Sequence, residues 1–95
     1  MLFARRIPGP PRTATRDEIP RLIGARVRSL RRARGMTQGD LAERMDEHRE
    51  IVCRIERGVH APDLATIDLL SIALDVAPAR IVSAIDHVRF EEVAS

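Results

Sequence analysis

Between Gly35 and Gly58 the chain carries two apolar patches, Leu41-Ala42-Met45 and Ile51-Val52-Ile55, each spaced for one face of a short helix. Helical spacing recurs on both sides. Ile23, Val27 and Leu30 form one stripe upstream, predicting a first helix from near Asp17 that ends at Gly35 with positive φ. Asp17 or Thr15 can cap it, and Pro20 is tolerated only in its first turn. A second helix is predicted over residues 38–45, opened by Thr37 and Asp40 as a reciprocal cap. Asp46-Glu47-His48 makes a turn, and a third helix follows over residues 49–57 with Gly58 as its stop. Pro62-Asp63 starts a fourth over residues 64–74, with Leu64, Ile67, Leu70 (or Leu69) and Leu74 at helical spacing. A fifth begins at Pro78, shows Ile81, Val82, Ile85 and Val88 on its apolar side, and is expected to reach Phe90. No strand-like alternation occurs, so the fold class is all-α.

The second and third helices are too short to persist alone, since isolated helices below about 12–15 residues are marginal in water. The rest of the chain must hold them, and their mutual angle must have a use. Composition says what kind. The 95 residues include no Trp or Tyr and two Phe, so the core must be Leu, Ile, Val, Ala and Met. No stretch approaches the roughly 18 apolar residues of a membrane span, and the N-terminus lacks the apolar run of a signal peptide. The single Cys excludes an internal disulfide and fits a reducing cytoplasm. Every basic residue is Arg. Residues 1–35 hold ten Arg against Asp17 and Glu18, whereas residues 36–95 hold six Arg against twelve acids. That clustering points to a polyanionic partner. Pro8-Gly9-Pro10-Pro11, among Arg5, Arg6, Arg12 and Arg16, marks residues 1–16 as a flexible basic arm. Three readings of the arm stay open: a contact with phosphates or a minor groove, a passive leader, or a tether packed through Leu2, Phe3 and Ile7.

Two short helices joined by a brief turn fit the helix-turn-helix plan, in which the first braces on the duplex backbone and the second enters the major groove. Turning residues 41, 42, 45, 51 or 52, and 55 inward leaves Arg49, Glu50, Cys53 and Arg54 outward. The phrases IGARVRSLRRARGMTQGDLAERM, RIERG and PDLATIDLLSIALDV then resemble the phage-repressor/Cro-like (xenobiotic-response-element) helix-turn-helix family over about residues 23–82. The resemblance implies a compact lambda-repressor-like domain; the helical spacing gives it five helices over residues 17–90, and residues 91–95 are expected to fray as a chain end. It implies that Gln38 touches the DNA backbone and that Arg49, Glu50 and Arg54 read bases. Arg suits the O6 and N7 of guanine, and Glu can accept from a cytosine amino group. Glu50 and Arg54 also stand in the favourable i, i+4 order, so a mutual ion pair is an equal alternative. Cys53 is a small filler or a redox switch. His48 is a poor cap that can reach a phosphate when protonated, and Arg57 completes the DNA-binding set. The family places the acid at Glu56 inward, paired with Arg31. Two departures stand out: Asp46 replaces the usual turn glycine and must take a left-handed conformation, and Asp46 and Glu47 would repel a close phosphate.

The expected function is a sequence-specific, cytoplasmic and nucleoid-associated transcriptional regulator that binds a palindromic operator as a homodimer. Restriction–modification controllers and autorepressors are compact relatives of this kind. Ile81, Ile85, Val88 and Phe90 are the candidate dimer surface. The rival reading is an antitoxin-type module that masks a toxin and autoregulates its operon. RNA polymerase or a toxin would then be a further protein partner beside double-stranded DNA. His48, His60 and His87, one Cys and no glycine-rich phosphate loop give no enzyme constellation, no cofactor site and no metal-ligand spacing.

Overall fold

The computed structural model describes residues 15–86 as five helices with no strand among them. These are α1 (Glu18–Ala33), α2 (Gln38–Met45), α3 (Arg49–Arg57), α4 (Leu64–Leu74) and α5 (Pro78–Val82). The basic arm up to residue 14, and residues 87–95 with Val88 and Phe90, lie outside the described residues.

Local chemistry sets most of the boundaries. At α1 the cap is Thr15 rather than Asp17. The Thr15 amide donates to the Glu18 carboxylate (2.9 Å), and the Glu18 amide donates to the Thr15 hydroxyl (3.3 Å). Asp17 already has helical dihedrals and makes no side-chain cap bond. At α2 the Thr37 hydroxyl accepts from the Asp40 amide (3.0 Å) while Asp40 accepts from the Thr37 amide (2.9 Å), the reciprocal cap expected from sequence. Asp63 caps α4 by accepting from the Thr66 amide at 2.8 Å. Gly35 and Gly58 both take positive φ, as does Asp46 at 57°.

The core forms where the helical stripes meet. Ile23, Val27 and Leu30 of α1, Leu41, Ala42 and Met45 of α2, and Val52 and Ile55 of α3 are buried together. Ile67, Leu70, Ala73 and Leu74 of α4 and Ile81 of α5 close over them. Thus α3 is pressed between α1 and α2, with α4 against α2 and α5 behind α1 and α4.

Three expectations are corrected here. The fifth helix is not continuous to Phe90: α5 ends at Val82, Ser83 interrupts it, and helical backbone resumes only at residues 84–86. The cause is a competition for the Arg80 carbonyl. It accepts from the Arg26 guanidinium and from the Ser83 hydroxyl (3.2 Å), both side chains, at the point where a helix would use the next amide. Ile81 was assigned to a dimer surface, yet it is 0% exposed within its own chain and is a core residue. Leu64 keeps the helical spacing of α4 but is 84% exposed. The reason is that α4 is apolar nearly all round, so spacing alone does not say which side meets the core.

Candidate nucleic-acid interface

The site is built on how α3 is held. Its inner side inserts Val52 and Ile55 into the core, and Glu56 follows them inward. Burial penalises the Glu56 charge. Hydrogen bonds from Arg31, Gln38 and Arg28, with the Arg31 charge, outweigh that penalty and hold the carboxyl below the ordinary glutamate value. Arg31 grips it with two donors, Nε to Oε2 at 2.6 Å and Nη2 to Oε1 at 3.0 Å. Its third donor, Nη1, reaches the Met36 carbonyl at 2.7 Å. One buried guanidinium therefore ties α1, the α1–α2 connection and α3 into one body, as the family resemblance implied for Arg31 and Glu56.

Glycines let the helices come this close. A Cβ on Gly24 of α1 would collide with the Ile55 carbonyl and lie 2.8 Å from that of Glu56. Gly58, at φ 70°, ends α3 in a left-handed cap against the Arg21 backbone, where a Cβ would meet Arg21 Cα at 2.8 Å. Neither contact was anticipated from sequence. For Gly24 the available signal was a glycine beside Ile23 within an otherwise regular apolar stripe.

The outer side of α3 and its flanks carry the sequence-predicted residues. His48, Arg49, Glu50, Arg54 and Arg57 are exposed and Cys53 is half-buried. Among the described residues no ion pair joins Glu50 to Arg54, so the structure does not close that pair. Arg54 borders a groove with Ile51, His60, Pro62 and Thr66. Gln38 stands at the first turn of α2, half-buried, and its Nε2 donates to Glu56 Oε1 at 3.1 Å. Sequence reading placed Gln38 outward and missed this inward bond, and it missed the Arg28 Nε donor 3.4 Å from the same oxygen. The left-handed Asp46 turns the chain between α2 and α3, so the departure from glycine is absorbed by the residue itself. Among the described residues no group of His, Cys, Asp and Glu is placed to hold a metal ion, and no helix is long and apolar enough to cross a membrane.

A braced helix pair whose second member, α3, turns Arg49, Arg54 and Arg57 to solvent beside Glu50, set in an all-helical domain, defines a DNA-binding transcription regulator of the helix-turn-helix class. The chain belongs to the helix-turn-helix family HTH_3, whose pattern matches residues 27–81. Over 60 residues it is 33% identical to the immunity repressor protein of Bacillus phage phi105, a match covering 63% of this chain and 42% of that one. The chain thus spans less than half the length of that curated relative. Among solved structures it is similar to the restriction-modification controller protein C.AhdI from Aeromonas hydrophila, with 35% identity and a TM-score of 0.63 over 65% of this chain and 94% of that one. It shares its fold with the clp gene regulator ClgR from C. glutamicum, at 23% identity and a TM-score of 0.68 over 73% and 90% of the two chains. The family is one of DNA-binding regulators rather than of enzymes.

Proposed function

We propose that the protein binds a palindromic operator as a homodimer, with α3 of each copy in a major groove, and acts as an autoregulatory or restriction–modification controller. The observation that carries this reading is the rigid presentation of Arg49, Glu50, Cys53 and Arg54 on a helix that Arg31 and Glu56 lock to α1. A groove-reading helix must be held in this way, because base contacts require side chains placed to a fraction of an ångström. In this reading Arg49 and Arg54 recognise guanine, Glu50 accepts from cytosine, and Cys53 fills space against the duplex. Gln38, His48 and Arg57 contact phosphates, which position the protein without specifying sequence. Similarity to a phage immunity repressor and to a restriction-modification controller supports the regulatory role. The homodimer rests on apolar surface left uncovered: Leu69 and Ile72 lie on one outward face of α4, Val82 of α5 is also exposed, and Ile85 is half-buried. Val88 and Phe90 remain part of the proposed dimer surface.

The test is competition binding to the DNA upstream of the protein's own gene. Arg49→Ala is expected to lose affinity and sequence preference together, by about 1–3 kcal/mol of discrimination. Gln38→Ala is expected to lose affinity with preference retained. Wild-type affinity with an unchanged preference for the cognate over a scrambled duplex in the Arg49 variant would refute the reading.

A further inference from the structure

We infer that α1 carries a second DNA contact, a phosphate-binding cleft formed by Arg28, Ser29 and Arg32 beside Glu56. This inference rests on the DNA-binding reading above and extends it to a surface outside the helix pair. Four observations converge on it. Ala25, Arg28, Ser29 and Arg32 share one face of α1 and line an open cleft with Glu56 on its wall. Arg28 and Arg32 stand four residues apart, a spacing at which like charges repel. Among the described residues Arg32 has no ion-pair partner. A bound anion would relieve the repulsion.

The third observation is an oversubscribed oxygen. Glu56 Oε1 receives Arg31 Nη2 at 3.0 Å, Gln38 Nε2 at 3.1 Å and Arg28 Nε at 3.4 Å. A carboxylate oxygen has about two lone-pair sites. The most distant donor, Arg28, is therefore held least, and its side chain is 44% exposed. Its two terminal nitrogens are free to point outward. The fourth observation is charge. Three guanidinium groups, from Arg28, Arg31 and Arg32, face one carboxylate, so the cluster is net cationic although Glu56 is fully ionised.

The chemistry of the cleft is that of a phosphodiester site: two planar donors, a hydroxyl, and no unpaired carboxylate. Its position fits the same ligand. Arg28 and Gln38 meet at one oxygen of Glu56, so the cleft adjoins the first turn of α2, where the duplex backbone is expected to run. A phosphate there would draw Arg28 and Gln38 outward while Arg31 keeps Glu56 satisfied. The footprint would then extend along the strand from α2 onto α1.

Salt dependence of binding tests this directly. Each phosphate neutralised contributes about 0.9 to the slope of log affinity against log salt concentration. With one phosphate per cleft and two copies on the operator, the Arg28→Ala, Arg32→Ala double variant should lower the slope by about two, and each single variant by a measurable part of that. The ratio of cognate to random binding should stay at the wild-type value. Arg28→Lys should keep the wild-type slope, because it retains the charge. Arg80→Ala, on α5 and equal in charge change, should leave the slope intact. Arg32 makes no bond to Glu56, so its variant keeps the test valid even if Arg28→Ala perturbs folding. A wild-type slope in the Arg32 variant, or an equal fall with Arg80→Ala, would overturn the cleft while leaving major-groove reading by α3 in place. Absence of duplex binding by the unaltered protein would overturn both.

Discussion

Glu56 is a buried carboxylate whose stability depends on the arginine above it. Taking away Arg31 strands that charge in the interior, so Arg31→Met should cost about 3–5 kcal/mol in urea unfolding. The same residue sets an acid limit. Its pKa in the folded chain lies below the ordinary value of 4.5. The unfolded chain therefore binds a proton first as pH falls. The stabilisation is complete above the ordinary value and is lost as pH drops through the depressed one. Glu56→Gln should flatten that part of the acid limb in unfolding midpoints measured between roughly pH 2 and pH 6. A limb of unchanged steepness would assign the acid sensitivity to other carboxylates. At this scale the Arg31–Glu56 pair was legible because both residues sit inside phrases that resemble the family. The inward bond of Gln38 and the Arg28 donor were not, since a side chain's partner among several donors is decided by distances that no spacing rule encodes.

The helices differ in where their end signals lie. The bounds of α2, α3 and α4 follow from residues adjacent in sequence: Thr37 with Asp40, Gly58, and Asp63 with Thr66. Those bounds were readable in advance. The end of α5 was not, because it is made by Arg26, 54 residues away along the chain, taking the Arg80 carbonyl. The start of α1 was half-readable: two capping candidates stood two residues apart, and the structure uses Thr15. Between α2 and α3 the left-handed Asp46 sits where glycine would be unstrained, yet glycine also raises unfolded-chain entropy. Asp46→Gly should therefore change stability by less than about 1 kcal/mol, and should tighten DNA binding by removing an acid from the turn. Asp46→Val should destabilise by about 1–2 kcal/mol, as a branched side chain at φ 57° is strained. The approach of α3 to α1 at Gly24 is less forgiving. Gly24→Ala puts a methyl into the α3 carbonyls and should cost about 1–3 kcal/mol by chemical denaturation. If α1 can shift without loss, that figure will be near zero and α3 is not braced as tightly as described.

For the molecule as a whole, the decisive question is which apolar residues close the core and which await a second copy. Ile81 and Ile72 separate these roles. Ile81 is wholly enclosed, whereas Ile72 is 70% exposed on the outward side of α4. Ile81→Ala should open a cavity and cost about 2–5 kcal/mol of folding stability at any protein concentration. Ile72→Glu loses little internal packing and should leave a folded monomer. A charge on each copy of a two-fold contact faces its own symmetry mate or lies beside it, so the dimer is opposed twice. If the proposed homodimer uses this face, sedimentation should show a dimer mass for the wild type and the monomer mass for Ile72→Glu. Operator binding should weaken far more than binding to an isolated half-site, because half-sites about 34–36 Å apart are engaged together only by a joined pair. The number of base contacts per copy is unchanged, so the sequence preference within a half-site should persist. A dimer surviving Ile72→Glu would move the contact off α4 and onto the segment that begins at Ile85 and includes Val88 and Phe90. Phe90→Glu would then be the variant that separates the copies.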